Sequence, residues 1–245
     1  MLKDHLNQNI IDINMIRDLI LNWNLYNRDR FITNISKTIK NKKVLDVGAG
    51  SAPYRSYFEI NNEYITHDAV PLKPEQLRDG QGYSQIDIVS DISNIPLEKE
   101  SIDVILCTEV LEHVPLPIDA INEMTRLLKR GGQIIITAPL QSGLHQTPYH
   151  FYGGYTPFFY KKFLEKNFNE IKISSNGNSY DFLSQEIYRF VRRIMSSNLA
   201  LFIVLLPVMI MSVFLLIIIR LFSLLNFFPK NKDFVIGYHV IAKKK

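Results

Sequence analysis

The strongest constraint on the fold is an alternation along the chain. Short apolar runs that suit strands (43–47, 62–67, 86–89, 102–107, 133–138, 170–174 and 234–242) are interleaved with stretches that suit helices (52–59, 117–129 and 156–167). Apolar runs of this length, separated by helices, point to a largely parallel sheet covered on both faces. Ahead of them, residues 10–40 carry apolar positions at helical spacing: Ile13, Ile16, Leu19 and Ile20, then Phe31, Ile32, Ile35 and Ile39. No internal repeat is evident. The 245 residues are ample for one large domain or two small ones. An apolar share of 47% excludes a disordered chain, and 11 Gly and 11 Pro exclude collagen-like and low-complexity classes. Cys107 is the single cysteine, which excludes an intramolecular disulfide and a multi-cysteine zinc site and suits a reducing compartment.

Polar residues gather where the strands end. The run KKVLDV leads straight into GAGSAPYR and a helical stretch. Gly48 and Gly50 at that turn let the backbone approach a ligand closely. A dinucleotide fingerprint needs a third glycine three residues after the second, and Pro53 stands there. Asp46 precedes the glycines. Its carboxylate would repel a pyrophosphate and suits a ligand with an ammonium group, which disfavours a nucleotide-dependent oxidoreductase. Asp68 closes EYITHD about 20 residues beyond the glycines, where a carboxylate can accept from both ribose hydroxyls. Asp91 follows the third strand, and Glu109 to His113 follow the fourth. Ligands of open parallel sheets bind beyond the carboxyl ends of the strands, so these residues would converge. Singly, each has a plain structural role: Asp46 as a helix cap, Asp68 in a turn, Asp91 in an Asx-turn, His113 in packing. Their succession, one per strand end, points to a site.

Four stretches, VLDVGAGSAPYR (44–55), YITHD (64–68), DIVSDISNIPLEKESIDVILCTEVLEHV (87–114) and EMTRLLKRGGQIIITAPL (123–140), resemble the class I S-adenosylmethionine-dependent methyltransferases, in particular the type 11 group. Residues 145–173 resemble the segment after the fifth strand in bacterial members tied to surface-glycan or lipid pathways. The resemblance implies a Rossmann-like, doubly wound α/β fold. Its seven-stranded sheet would be mostly parallel with the last strand antiparallel. An N-terminal helical segment would precede it, and a hydrophobic helical insertion would interrupt it before the last strand. The implied boundaries are 1–40 for the N-terminal segment, 41–178 for the methyltransferase core, 179–233 for the insertion, and 234–245 for the last strand and a basic tail.

The implied cofactor is S-adenosyl-L-methionine. Asp46, Gly48 and Ala49 would lie along its methionine part, Gly50 on the ribose side, and Asp68 on the ribose hydroxyls. Asp91 and Ile92 would meet the adenine, with Thr108 and Glu109 along the methionine and sulfonium. Ala52 replaces the usual third glycine, and His150 stands where the family has an aspartate. The sulfonium already makes the methyl group electrophilic, so the protein has to align the acceptor and exclude water. An oxygen acceptor would be helped by a base, for which His145, then Glu112 and His113, are the candidates. Each also has a plain reading, as a loop residue or as packing at a helix start. No metal is called for. No basic patch interleaves with these segments, which argues against nucleic acid.

Two features remain. Residues 149–160 read YHFYGGYTPFFY, with seven aromatics in 12 positions. They suit loop-to-helix packing, a lid over an apolar acceptor with a mobile Gly153–Gly154 pair, or an interfacial surface. From Leu199 to Ile219 there are 21 residues without a charge, enough for one helix across a hydrocarbon core. If 234–242 is the last strand of the sheet, both ends of this stretch must return to one side. That favours a monotopic insertion through 199–228, lying in the interface or bent near Pro207, over a single span or a buried helix. Arg189, Arg192 and Arg193 flank it on one side, and Arg220, Lys230 and Lys232 on the other, with no acidic residue between Glu186 and Asp233. This suits the cytoplasmic face of a membrane, as does the polar start MLKDHLNQNI. The overall charge of +4 is then an average of a basic tail (189–245, nine Lys and Arg, one Asp) at +8 and a body at −4. The expected function is methylation of a lipid, lipid-linked glycan or other small apolar acceptor. The alternative is a non-catalytic membrane-anchored binding module with the same fold.

Overall fold

The fold was obtained as a computed structural model, which describes residues 23–77, 82–225 and 233–245. The helical pattern on Ile13–Ile20, and Lys230 and Lys232, lie outside the described residues. In chain order the elements are α1 (Trp23–Ser36), β1 (Lys43–Val47), α2 (Arg55–Phe58), β2 (Glu63–Asp68), β3 (Ile88–Val89), β4 (Ile102–Thr108), α3 (Pro117–Leu127), β5 (Leu128–Pro139), α4 (Pro157–Leu164), β6 (Phe168–Asn176), α5 (Ser179–Met195), α6 (Leu199–Leu225) and β7 (Gly237–Lys244). One-turn 3-10 helices cover Pro74–Gln76 and Leu111–His113.

The seven strands form one sheet in the order β3-β2-β1-β4-β5-β7-β6. β1 runs parallel to both β2 and β4, and β4 parallel to β5. β7 enters between β5 and β6, antiparallel to β5 from Gln133↔Lys243 to Pro139↔Gly237. The doubly wound sheet with an antiparallel last strand is therefore as the family resemblance implies. Central strands are buried on both faces, so β4 buries Ile102 and Val104–Cys107 in a continuous run. On one face Ile32, Ile35 and Ile39 join Tyr54 and Phe58 against Val44, Val104, Leu106 and Ile135. The chain order reverses between β1 and β4, which opens a crevice at their carboxyl ends.

Among the strands that depart from their expected lengths, β3 and β5 do so for visible local reasons. β3 is only two residues long. Beyond the pair His67↔Ile88, the Asp87 carboxylate takes the Thr66 N–H (2.8 Å) and hydroxyl (2.8 Å), in place of a backbone ladder. β5 begins already at Leu128, paired with Ile102, and the Lys129–Gly132 turn is a bulge inside it before pairing resumes at Val104↔Gln133.

The described residues divide into two compact units. One consists of Arg30–Ser175 with Gly237–Lys245, and the other of the described parts of Met1–Asp29 and Asn176–Ile236. In the second, the Asn178 side chain caps α5 by accepting from Tyr180 N–H and Asp181 N–H. The Asn198 side chain accepts from Leu201 N–H (2.9 Å) at the start of α6. α5 packs along α6 and buries Val191 and Ile194. α6 is one 27-residue helix that continues through Pro207, so the chain does not turn back there as a hairpin. Proline costs it one backbone hydrogen bond, and the remaining turns carry the helix on. Its stretch Leu199–Ile219 is only 11% buried, so α6 is not a core helix of this chain.

Candidate active site

A cavity of about 450 Å³ opens at the crevice. Its wall includes Gly48, Gly50, His67, Asp68, Asp91, Ile92, Glu109, Val110, His113, Gln146, Tyr149 and Phe151. Of the expected cofactor residues, Gly48, Gly50, Asp68, Asp91, Ile92 and Glu109 thus share one wall. Asp46, Ala49 and Thr108 are not part of it.

The glycine turn is held against β2: Gly48 N–H and Ala49 N–H both donate to the His67 carbonyl (2.8 and 2.9 Å). Gly48 has φ +70, and a Cβ there would lie 2.5 Å from Val110 Cγ2, so glycine is required on both counts. Ala52, in place of the third glycine, carries a left-handed φ of +48. Asp68 accepts from Gly50 N–H (2.9 Å) and Val70 N–H (2.7 Å), which fixes its carboxylate at the cavity edge. Asp91 forms the Asx-turn considered above, accepting from Ser93 N–H (2.8 Å) and hydroxyl (2.6 Å) through one oxygen. Those bonds hold its carboxyl below the usual range. Structural and ligand-facing roles thus coexist in Asp68 and Asp91.

Asp46 is 1% exposed, and burial pushes its carboxyl up to about 7, against the opposing Tyr64 hydrogen bond. Its second oxygen has no hydrogen-bond partner among the described residues. Glu109 follows β4 in a left-handed conformation (φ +54), pinned by its N–H to the Thr137 carbonyl (2.8 Å) and by the Thr137 hydroxyl (2.9 Å). Strain of this kind, held by surrounding bonds, aims the side chain at the cavity.

The three expected base residues come together. Ligand atoms of Glu112, His113 and His145 all lie within 4.8 Å of one another. His150 joins them, its ring centroid 4.4 Å from that of His145 and 5.7 Å from that of His113. Burial lowers His113 to about 4, so the imidazole is neutral near pH 7. The aromatic run divides. Tyr149 and Phe151 line the cavity, whereas Tyr155 and Tyr160 are buried packing residues. Gly154 sits in close backbone contact: a Cβ there would lie 2.3 Å from the Pro139 carbonyl oxygen, to which Tyr155 N–H also donates (2.8 Å). Sequence reasoning missed His67 and Gln146. His67 was detectable as the neighbour of Asp68, but Gln146 reaches the cavity from a loop 70 residues beyond Gln76, to which it bonds.

Residues 45–136 match the family model described as "Methyltransferase domain". The ubiquinone biosynthesis O-methyltransferase of Klebsiella pneumoniae is 30% identical over 118 residues, covering 46% of this chain and 49% of that protein. The enzyme of the same name from Pseudomonas putida is 32% identical over 108 residues, covering 41% and 45%. The chain spans about half the length of the curated relatives it matches. Over residues 45–136 this chain is thus similar to methyltransferase domains. Solved structures agree on the fold. An S-adenosylmethionine-dependent methyltransferase from Archaeoglobus fulgidus aligns with TM-score 0.50 at 16% identity, covering 95% of this chain and all of that one. Phosphoethanolamine N-methyltransferase 2 of Haemonchus contortus, solved in complex with S-adenosyl-L-methionine, aligns with TM-score 0.51 at 14% identity, covering 90% and 52%.

The cavity wall combines carboxylates with apolar surface. Carboxylates at Asp68 and Asp91 can accept from hydroxyl and amino groups, and Ile92, Leu72 and Leu77 give the cavity apolar surface. Asp46 lies behind this wall, fully buried, with one carboxylate oxygen that has no hydrogen-bond partner among the described residues.

Proposed function

We propose that the chain is an S-adenosylmethionine-dependent methyltransferase that works at a membrane surface and methylates a lipid, lipid-linked glycan or other small apolar acceptor. The observation that carries the reading is the acidic crevice: Gly48, Gly50, Asp68, Asp91 and Glu109 on one cavity wall at the switch point. Asp68 would hold the ribose hydroxyls, Asp91 and Ile92 the adenine, and Asp46, Gly48, Ala49, Thr108 and Glu109 the methionine end. When bound, S-adenosylmethionine supplies an electrophilic methyl group. The chain's own part is then to bind, align and exclude water. Tyr149 and Phe151 close the cavity with apolar surface, and neutral His113 faces it as an acceptor for the proton of a hydroxyl. His145 and Glu112 lie next to His113, behind that wall. The curated relatives are named O-methyltransferases, which favours an oxygen acceptor.

Membrane association rests on α6. A helix of 27 residues is about 40 Å long, and its exposed side chains include Ile203, Val204, Ile210, Met211 and Phe214. An apolar surface of that extent needs a cover. The insertion leaves from β6 and returns to β7, neighbours in one sheet, so its two ends stay on one side of a bilayer. α5, packed along α6, carries Glu186, Arg189, Arg192 and Arg193. A crossing by α6 would drag those charges towards hydrocarbon. An in-plane helix on the cytoplasmic face avoids both conflicts.

The test is incubation with methyl-labelled S-adenosylmethionine and a membrane extract. Label is expected in the lipid or lipid-linked fraction. Absence of S-adenosylmethionine binding at millimolar ligand would end the reading in favour of a non-catalytic module.

A further inference from the structure

We propose that Glu112, His113 and His145 form a binding site for a divalent transition-metal ion beside the cavity. The inference rests on the methyltransferase reading and assigns its acceptor wall a ligand that sequence spacing did not call for. The residues come from two segments, the turn after β4 and the loop after β5, and only folding unites them.

The hydrogen bonds set the imidazoles for coordination. His113 Nδ1 lies 2.7 Å from the Tyr149 carbonyl oxygen, which can only accept, so Nδ1 carries the proton and Nε2 presents its lone pair. That Nε2 lies 3.9 Å from Glu112 Oε1. His145 Nδ1 lies 2.9 Å from the Gly143 carbonyl oxygen, which frees its Nε2 in the same way. His150 repeats the pattern. The Ser142 hydroxyl donates to the Gly153 carbonyl (3.0 Å) and so accepts from His150 Nε2 (3.0 Å), leaving Nδ1 as a lone pair next to His145. One ring nitrogen tied to a fixed acceptor and the other left basic is the arrangement that orients metal-binding histidines.

The donors also match in type. Imidazoles with one carboxylate suit zinc and its first-row neighbours, and not magnesium or calcium, which take oxygen ligands. Bonds of about 2.1 Å to a tetrahedral ion place donors about 3.4 Å apart. The present spread of up to 4.8 Å therefore has to close by about an ångström, which exposed His145 can supply by rotation on its loop. Facing the cavity, the ion would take an acceptor oxygen as a further ligand and lower its pKa, the proton leaving to solvent.

The test uses the full chain in detergent, stripped with a chelator and titrated with Co2+. The expected result is one Co2+ per chain, with the visible absorption of a low-symmetry site, displaced by one Zn2+. His145→Ala, at an exposed position, is expected to weaken binding at least about tenfold. No saturable Co2+ binding, or unchanged affinity in His145→Ala, overturns the proposal. Calorimetry with S-adenosylhomocysteine on the same preparation separates the two readings. Retained binding of that ligand without metal binding overturns the metal site alone, and its loss overturns the methyltransferase reading beneath it.

Discussion

Asp68 shows how one side chain can hold the fold together and line the cavity. Its two oxygens receive Gly50 N–H and Val70 N–H, so it staples the glycine turn to the end of β2 at the cavity edge. Asp68→Ala should therefore weaken S-adenosylhomocysteine by at least about 100-fold and also lower the melting temperature by about 5 °C, the loss of one or two buried hydrogen bonds. Calorimetry and thermal melts read both, and unchanged affinity would mean that the site lies elsewhere. Asp46 is the opposite case, a carboxyl whose burial opposes its charge. Its folded pKa of about 7 lies above the unfolded 3.8. The unfolded chain therefore releases this proton first as pH rises. The contribution is fully present below pH 3.8 and is lost as pH climbs towards 7, by up to about 4 kcal/mol. Asp46→Asn keeps an acceptor for the Tyr64 hydroxyl and removes the charge. The variant should melt higher than the parent at pH 8, converge with it near pH 4, and bind S-adenosylhomocysteine more weakly. A melting series across that range checks the sign, and a parent that grows more stable from pH 4 to 7 relative to the variant would refute it.

At the scale of elements, what could be read from the chain is what local periodicity encodes. The central strands declared themselves because burial on both faces makes a continuous apolar run, as in Val104–Cys107. The shortness of β3 was hidden because it depends on Asp87 reaching Thr66 from 21 residues away. The same holds for the site. Strand-end carboxylates announce themselves through their order, whereas Gln146 and the meeting of His113, His145 and His150 depend on a loop folding back over the crevice. Even the departure at His150 was visible, but that it completes a group of three imidazoles was not. The insertion gives a prediction at this scale. Ile236 N–H donates to the Asn176 carbonyl (3.2 Å) and the Ser174 hydroxyl to that of His239 (3.4 Å), so β6 and β7 lie as the arms of a hairpin. Replacing 177–235 with a short Asn-Gly turn should therefore leave a sheet that still folds. The excised protein is expected to bind S-adenosylhomocysteine within about threefold of the parent and to lose co-flotation with vesicles. Failure to fold would show that the insertion is part of the core.

At the scale of the whole molecule, charge and apolarity are segregated along the chain. The body is mildly acidic and the tail strongly basic, and the tail holds the uncharged Leu199–Ile219. A basic, apolar segment favours anionic bilayers, since headgroup attraction adds about 1 kcal/mol per nearby Lys or Arg. The protein should therefore float with vesicles containing phosphatidylglycerol and lose part of that binding at high salt, while the apolar share persists. Topology is the sharper test. A cysteine placed at Lys245 follows β7, which is paired along its length with β5. If α6 lies in the interface, that cysteine and one in the body should react alike in inside-out vesicles and resist an impermeant maleimide in intact cells, with native Cys107 silent because it is buried. If α6 spans the bilayer, the tail cysteine alone should label from outside. β7 would then be absent from the sheet, leaving the β5 edge open and exposing Val240 and Ala242, both fully buried at present. The cost of opening that core is the physical reason to expect the first pattern.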